Sequence, residues 1–88
     1  MTEEYWENLR IFTQRVFEGT YYGSHVIVSK QDAMKALGIR KMTSDRVHEI
    51  KEALRDRNVY TVYDDGDRHF LFTGKAIAVR NATRLIWS

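Results

Sequence analysis

The chain contains no cysteine and no proline. Without cysteine, neither a disulfide framework nor a thiolate metal site can be built. The lack of proline fits a chain made mostly of regular elements joined by short turns. No apolar run approaches the roughly 20 residues needed to cross a bilayer. The opening Met1-Thr2-Glu3-Glu4 is acidic and is no signal peptide. The expectation is a cytoplasmic protein with no membrane contact. The five glycines stand apart, so there is no glycine-rich phosphate loop. His25, His48 and His69 are scattered, and His48-Glu49 has no second histidine at the offset a zinc site requires. No serine sits in a nucleophile-elbow context. An enzyme reading therefore has little to stand on, and neither a cofactor nor a metal is expected.

What is present suffices for one domain with a modest core: 88 residues, 43% apolar and 30% charged. Thr2 to Glu18 reads as a helix, because Tyr5, Leu9, Phe12 and Val16 recur at helical spacing, with Trp6 and Phe17 broadening the stripe. Thr2 would cap it, Glu3 and Glu4 suit its positive end, and Gly19 is placed to end it in a left-handed conformation. His25 to Val28 is a short β-branched run that reads as a strand. Before it, Tyr21 and Tyr22 either rim the core or stack on a base. Ser29-Lys30-Gln31-Asp32 has the shape of a capping box and starts a second helix. Ala33, Met34 and Leu37 form its inward face, Gly38 stops it, and Ile39 follows as an apolar plug. Thr43 or Ser44 caps a third helix running to about Arg57, with Val47, Ile50 and Leu54 inward and Asn58 as its stop. Two strand-like runs, Val59 to Tyr63 and Arg68 to Thr73, flank Asp65-Gly66, which signals a two-residue hairpin turn. That turn sets Tyr63 opposite Arg68, Thr61 opposite Phe70 and Val59 opposite Phe72. Both faces of the hairpin are then apolar, so both are expected to be covered, one of them by a partner chain if need be. From Thr73 to Ser88 the pattern fits either a helix or a strand, and the helix is preferred. Leu85, Ile86 and Trp87 must dock on the first helix or on a second subunit.

Small residue, apolar pair, glycine and apolar plug, followed by helix and hairpin, occupy Ser29 to Phe72. Over that half of the chain the sequence resembles the winged helix-turn-helix superfamily. One departure is a connection from Gly38 to Thr43 that is longer than the tight motif. The resemblance implies an α+β fold, a single winged-helix domain spanning residues 1–88 with three helices, a small antiparallel sheet and a C-terminal segment. It also implies a small DNA-binding regulator of transcription acting as a homodimer through the hairpin or the C-terminal segment.

Charge placement tests that implication. Taking Val47, Ile50 and Leu54 as inward sets Asp45, Glu49, Glu52 and Asp56 at the outward centre of the third helix. Lys51, Arg55 and His48 fall on one shoulder, and Arg46 and Arg57 on the other. The hairpin tip adds Asp64, Asp65 and Asp67. Carboxylates facing phosphates oppose the counterion release that drives DNA binding. If duplex DNA is the ligand, the expected contacts are Lys30, Lys35, Arg40, Lys41, Arg46, Lys51, Arg55 and Arg68 to phosphates, with Thr43, Ser44, Arg46 and His48 nearest the bases. The alternative is a winged-helix protein-interaction module, such as a phage- or mobile-element-type inhibitor. It would bind a basic protein partner through Asp45, Glu49, Glu52, Asp56, Asp64 and Asp65 or through the hairpin.

Overall fold

The computed structural model describes residues 3–21, 25–64, 68–74 and 82–87. Helix α1 (Glu3–Thr20) buries Tyr5, Leu9, Phe12 and Val16, the stripe its spacing predicts. It does not stop at Gly19. The helix runs through that residue, whose part is to let strand β1 (His25–Ser29) come close: a Cβ there would stand 2.7 Å from Val26 Cγ2.

Helix α2 (Lys30–Leu37) begins as the capping pattern requires, the Ser29 hydroxyl accepting from the Asp32 amide at 3.0 Å. Gly38 ends it in the left-handed region at φ 70°, with the Ile39 amide donating to Met34 O. Helix α3 (Ser44–Arg55) is capped by Thr43, whose hydroxyl accepts from the Arg46 amide. It ends in the same way, with Asn58 at φ 59° and the Val59 amide donating to Leu54 O. Both closures are Schellman motifs that satisfy otherwise orphaned carbonyls.

Strands β2 (Tyr60–Asp64), β3 (His69–Thr73) and β4 (Ala82–Leu85) join β1 in one sheet of order β2-β3-β1-β4. β1 and β3 run antiparallel with Val26 opposite Phe72 and Val28 opposite Phe70. These four side chains are fully buried and form the sheet side of a core whose other wall is Phe12, Val16, Leu37, Ile50 and Leu54. Burying each such side chain contributes about 1.5–3 kcal/mol before entropy is charged. The architecture is thus α+β, three helices on a small sheet with an antiparallel hairpin. Among the described residues no helix is long and apolar enough to cross a membrane.

Three expectations fail. First, the hairpin is not in the register of a two-residue turn: Thr61 lies opposite Phe72 and Asp64 opposite Phe70, leaving residues 65–69 between the paired ends. β3 is held by β1, which fixes Phe70 and Phe72 inward, and β2 fits itself to β3 through a bulge between Thr61 and Tyr63. The turn residues Asp65-Gly66 lie outside the described residues. Second, the outer face of the hairpin is only partly covered, with Tyr60 48% exposed and Leu71 half-buried. Third, residues 82–85 form a strand, not a helix, pairing parallel to β1 and occupying its otherwise open edge. The apolar run that follows docks on α1. The Trp87 ring lies 5.2 Å from Phe12, with the Arg15 guanidinium over its face at 4.1 Å. Arg15 Nη2 donates to Ile86 O at 2.9 Å. Ile86 itself stays exposed.

Candidate nucleic-acid interface

The orientation of α3 decides what this protein can offer a ligand. Ile50 and Leu54 are buried and Val47 is half-buried, as their spacing predicts. Arg46, Glu49, Ala53 and Arg57 are half-buried too, because that flank of the helix packs on α1. The inward centre is therefore turned by about 40° on a wheel of 100° per residue. The turn carries Glu49 out of the outward centre. The exposed face is formed instead by Ser44, Asp45, His48, Lys51, Glu52 and Arg55, with Asp56 at its edge.

Glu49 is held by α1. The Tyr5 hydroxyl donates to Glu49 Oε1 at 2.7 Å, and Arg46 Nη1 donates to the same oxygen at 2.9 Å. The Arg46 guanidinium also lies over the Tyr5 ring, 4.2 Å from its centroid. Burial, and then the hydrogen bond to Glu49, push the Tyr5 phenol up to about 12. The hydrogen bond from Tyr5, with Arg46 beside it, holds the Glu49 carboxyl below the usual carboxylate range. Arg57 is engaged in parallel further along, donating to Gln14 and lying over the Phe17 ring at 4.3 Å. Glu52 pairs with Arg55 at 3.5 Å with both side chains half or more exposed, a pair that contributes little to stability.

The expected phosphate contacts divide accordingly. Lys30 is buried, 6% exposed, with its ammonium over the Phe70 ring at 4.9 Å, so it is no surface contact. Its stem packs under the sheet because it opens α2 where β1 ends. Arg46 is engaged with Tyr5 and Glu49 and is not an exposed base reader. Lys35, Arg40, Lys41, Lys51, Arg55 and Arg68 are exposed, as are Thr43, Ser44 and His48. Among the acidic residues of the alternative reading, Asp45, Glu52 and Asp56 are exposed and Glu49 is not. Asp65 and the side chain of Asp64 lie outside the described residues. Tyr21, a stacking candidate, is 66% exposed and edge-on to Phe17.

Among the described residues, grooves lie along α3. One of about 590 Å³ lies between the α2–α3 connection and the first turns of α3, lined among others by Arg40, Lys41, Thr43, Arg46 and His48. A second, of about 150 Å³, lies between Lys51, Arg55 and the start of β2 at Tyr60. A third, of about 490 Å³, runs between α1 and α3, with Trp6, Leu9 and Ala53 as apolar lining and Glu52 and Asp56 on its α3 wall. Tyr5 and Tyr60 are the residues that sequence reading missed. Tyr5 looks like any core position of α1, and no local spacing links it to Glu49. Among the described residues no group of three or more histidines and carboxylates is placed to hold a metal ion. Comparison with family models, with curated proteins and with solved structures gives no match to this chain.

Proposed function

We propose that this protein is a small DNA-binding regulator that presents α3, in the winged-helix manner, to duplex DNA. The carrying observation is the rotation of α3. It withdraws Glu49 into a contact with Tyr5 and leaves Ser44, His48, Lys51 and Arg55 on the exposed face, beside exposed Lys35, Arg40 and Lys41. The four-carboxylate stripe that opposed groove entry is thereby broken. Asp45, Glu52 and, at the edge of the face, Asp56 remain and reduce the affinity. In this reading Lys35, Arg40, Lys41, Lys51 and Arg55 meet phosphates, while Thr43, Ser44 and His48 come nearest to base edges. The test is a fluorescence-anisotropy titration of labelled duplex DNA across a salt series. About five phosphate contacts give a slope of log affinity against log salt near −4.5, and E52K tightens binding several-fold. Binding that ignores salt overturns the proposal.

A second reading, a protein-interaction module for a basic partner, is favoured by the groove between α1 and α3. Trp6 is 47% exposed there and Glu52 and Asp56 form its α3 wall. Exposed tryptophan ringed by charge is typical of interface centres. Here the variant W6A should abolish capture of a protein partner while leaving DNA binding unchanged, and capture that survives the change rejects this reading.

A further inference from the structure

The groove beside the first turns of α3 contains an arginine that is already oriented. Arg46 is 22% exposed at its side chain, lies flat on the Tyr5 ring and donates one N–H to Glu49. A guanidinium has five N–H donors in a fixed fork, so donors remain beyond the one given to Glu49, in a groove that Arg46 lines with Arg40, Lys41, Thr43 and His48 and also with the carboxylates Asp45 and Glu49. Thr43 Oγ1 accepts from the Arg46 amide, which leaves its own hydroxyl proton to donate. Arg40 and Lys41 are exposed chains on the connection, and each must lose rotamer freedom to grip an anion. Arg46 has lost that freedom on folding.

We infer that this groove is a phosphate site, in which Tyr5 and Glu49 are positioning residues that hold Arg46 toward an oxyanion of a nucleic-acid backbone. The inference rests on the DNA-binding reading and reverses the expected role of one acid. Glu49 has been placed among the carboxylates that repel DNA. Held by Tyr5 and Arg46, it instead orients a donor, and removing it weakens binding. Two effects oppose each other. Deleting Glu49 adds one net positive charge inside the groove it lines, close enough to a phosphate on Arg46 to favour binding. It also frees Arg46 from Glu49, so that ordering it again on phosphate carries a cost the native cluster avoids. In the positioning role the directional contact at hydrogen-bond range is the larger of the two effects.

The order of affinities separates the two. Fluorescence anisotropy with a labelled mixed-sequence duplex of about 20 base pairs is measured for wild type, E49A, E49Q, Y5F and R46A. The positioning role predicts that E49A binds about 5-fold more weakly and that R46A loses a similar factor along with about one unit of salt slope. E49Q, whose amide oxygen still accepts from Tyr5 and Arg46, recovers most of the affinity. Y5F, which keeps the ring under Arg46 but cannot donate to Glu49, falls between. Simple repulsion predicts instead that E49A and E49Q both bind more tightly than wild type. Tighter or unchanged binding by E49A overturns the inference, as does an unaltered salt slope in R46A. Circular dichroism verifies that each variant is folded at the assay temperature, and the slope does not depend on the fraction folded. Lys51→Ala serves as the control. If wild type binds with salt dependence and K51A weakens it, while E49A does not, only the positioning role fails. If wild type itself shows no salt-dependent binding, the DNA-binding reading fails and takes this one with it.

Discussion

Tyr5 has two properties that can be read separately in solution. Its ring fills part of the core and its hydroxyl is tied to Glu49. The phenol is raised to about 12 in the folded chain against 10.0 for the free group. A group whose folded value is raised binds its proton more tightly when folded. The stability it contributes is intact below pH 10 and is lost as pH climbs from 10 to 12. Glu49 works in the opposite sense, since its folded value is depressed. Its contribution is present above the ordinary carboxylate range and is lost as pH falls through the folded value. Urea denaturation of wild type across pH should therefore show a decline on both flanks. In Y5F the alkaline decline attributable to this residue disappears, and at neutral pH the variant is less stable by about 1.5–3 kcal/mol, the net worth of a hydrogen bond to a charged acceptor after solvent competition. An unchanged alkaline limb in Y5F would show that Tyr5 is not the titrating group.

Element by element, what could be read from sequence follows how local the cause is. The caps of α2 and α3, Ser29 and Thr43, and the closures at Gly38 and Asn58 are properties of four to six consecutive residues, and all stand where the local pattern sets them. The reason for glycine at position 19 lies in Val26, which belongs to a different element. The hairpin register was misread because β1, remote in sequence, holds β3 and forces β2 to bulge. β4 shows the same limit. Its short apolar run suits a helix or a strand equally, and the deciding partner is the open edge of β1. The docking of Trp87 on Phe12 is what anchors that strand from behind. Trp87 is half-buried, so W87A should cost roughly half the 3–5 kcal/mol of a fully buried tryptophan, about 2 kcal/mol by thermal or chemical denaturation. A loss below about 0.5 kcal/mol would mean that the segment is an ornament on the fold.

At the scale of the whole molecule, the packing of α3 on α1 decides which charges meet the outside. A wheel drawn from Val47, Ile50 and Leu54 alone is right about the core and wrong about the surface. The partners that turn the helix, Tyr5 for Glu49 and Arg46, Gln14 and Phe17 for Arg57, all belong to α1. The fold class was therefore legible, and so were most exposed cations, because exposure needs no partner. The identity of the withdrawn acid was not, since it depends on an aromatic hydroxyl 44 positions away. The same packing spends Lys30 on the core and leaves the cationic surface to the connection and the far flank of α3.

The junction between β1 and α2 ties two regions usually thought of as separate limbs. The Lys30 amide donates to Arg68 O at 2.7 Å, Ser29 pairs with His69, and the Lys30 ammonium rests on Phe70. The start of β3, at the loop end of the hairpin, and the first turn of α2 are thus one mechanical piece. That end of β3 cannot shift without unseating the helix, and a load applied to one is transmitted to the other. At this junction, accommodation of a ligand's shape is left to side chains or to the ligand itself.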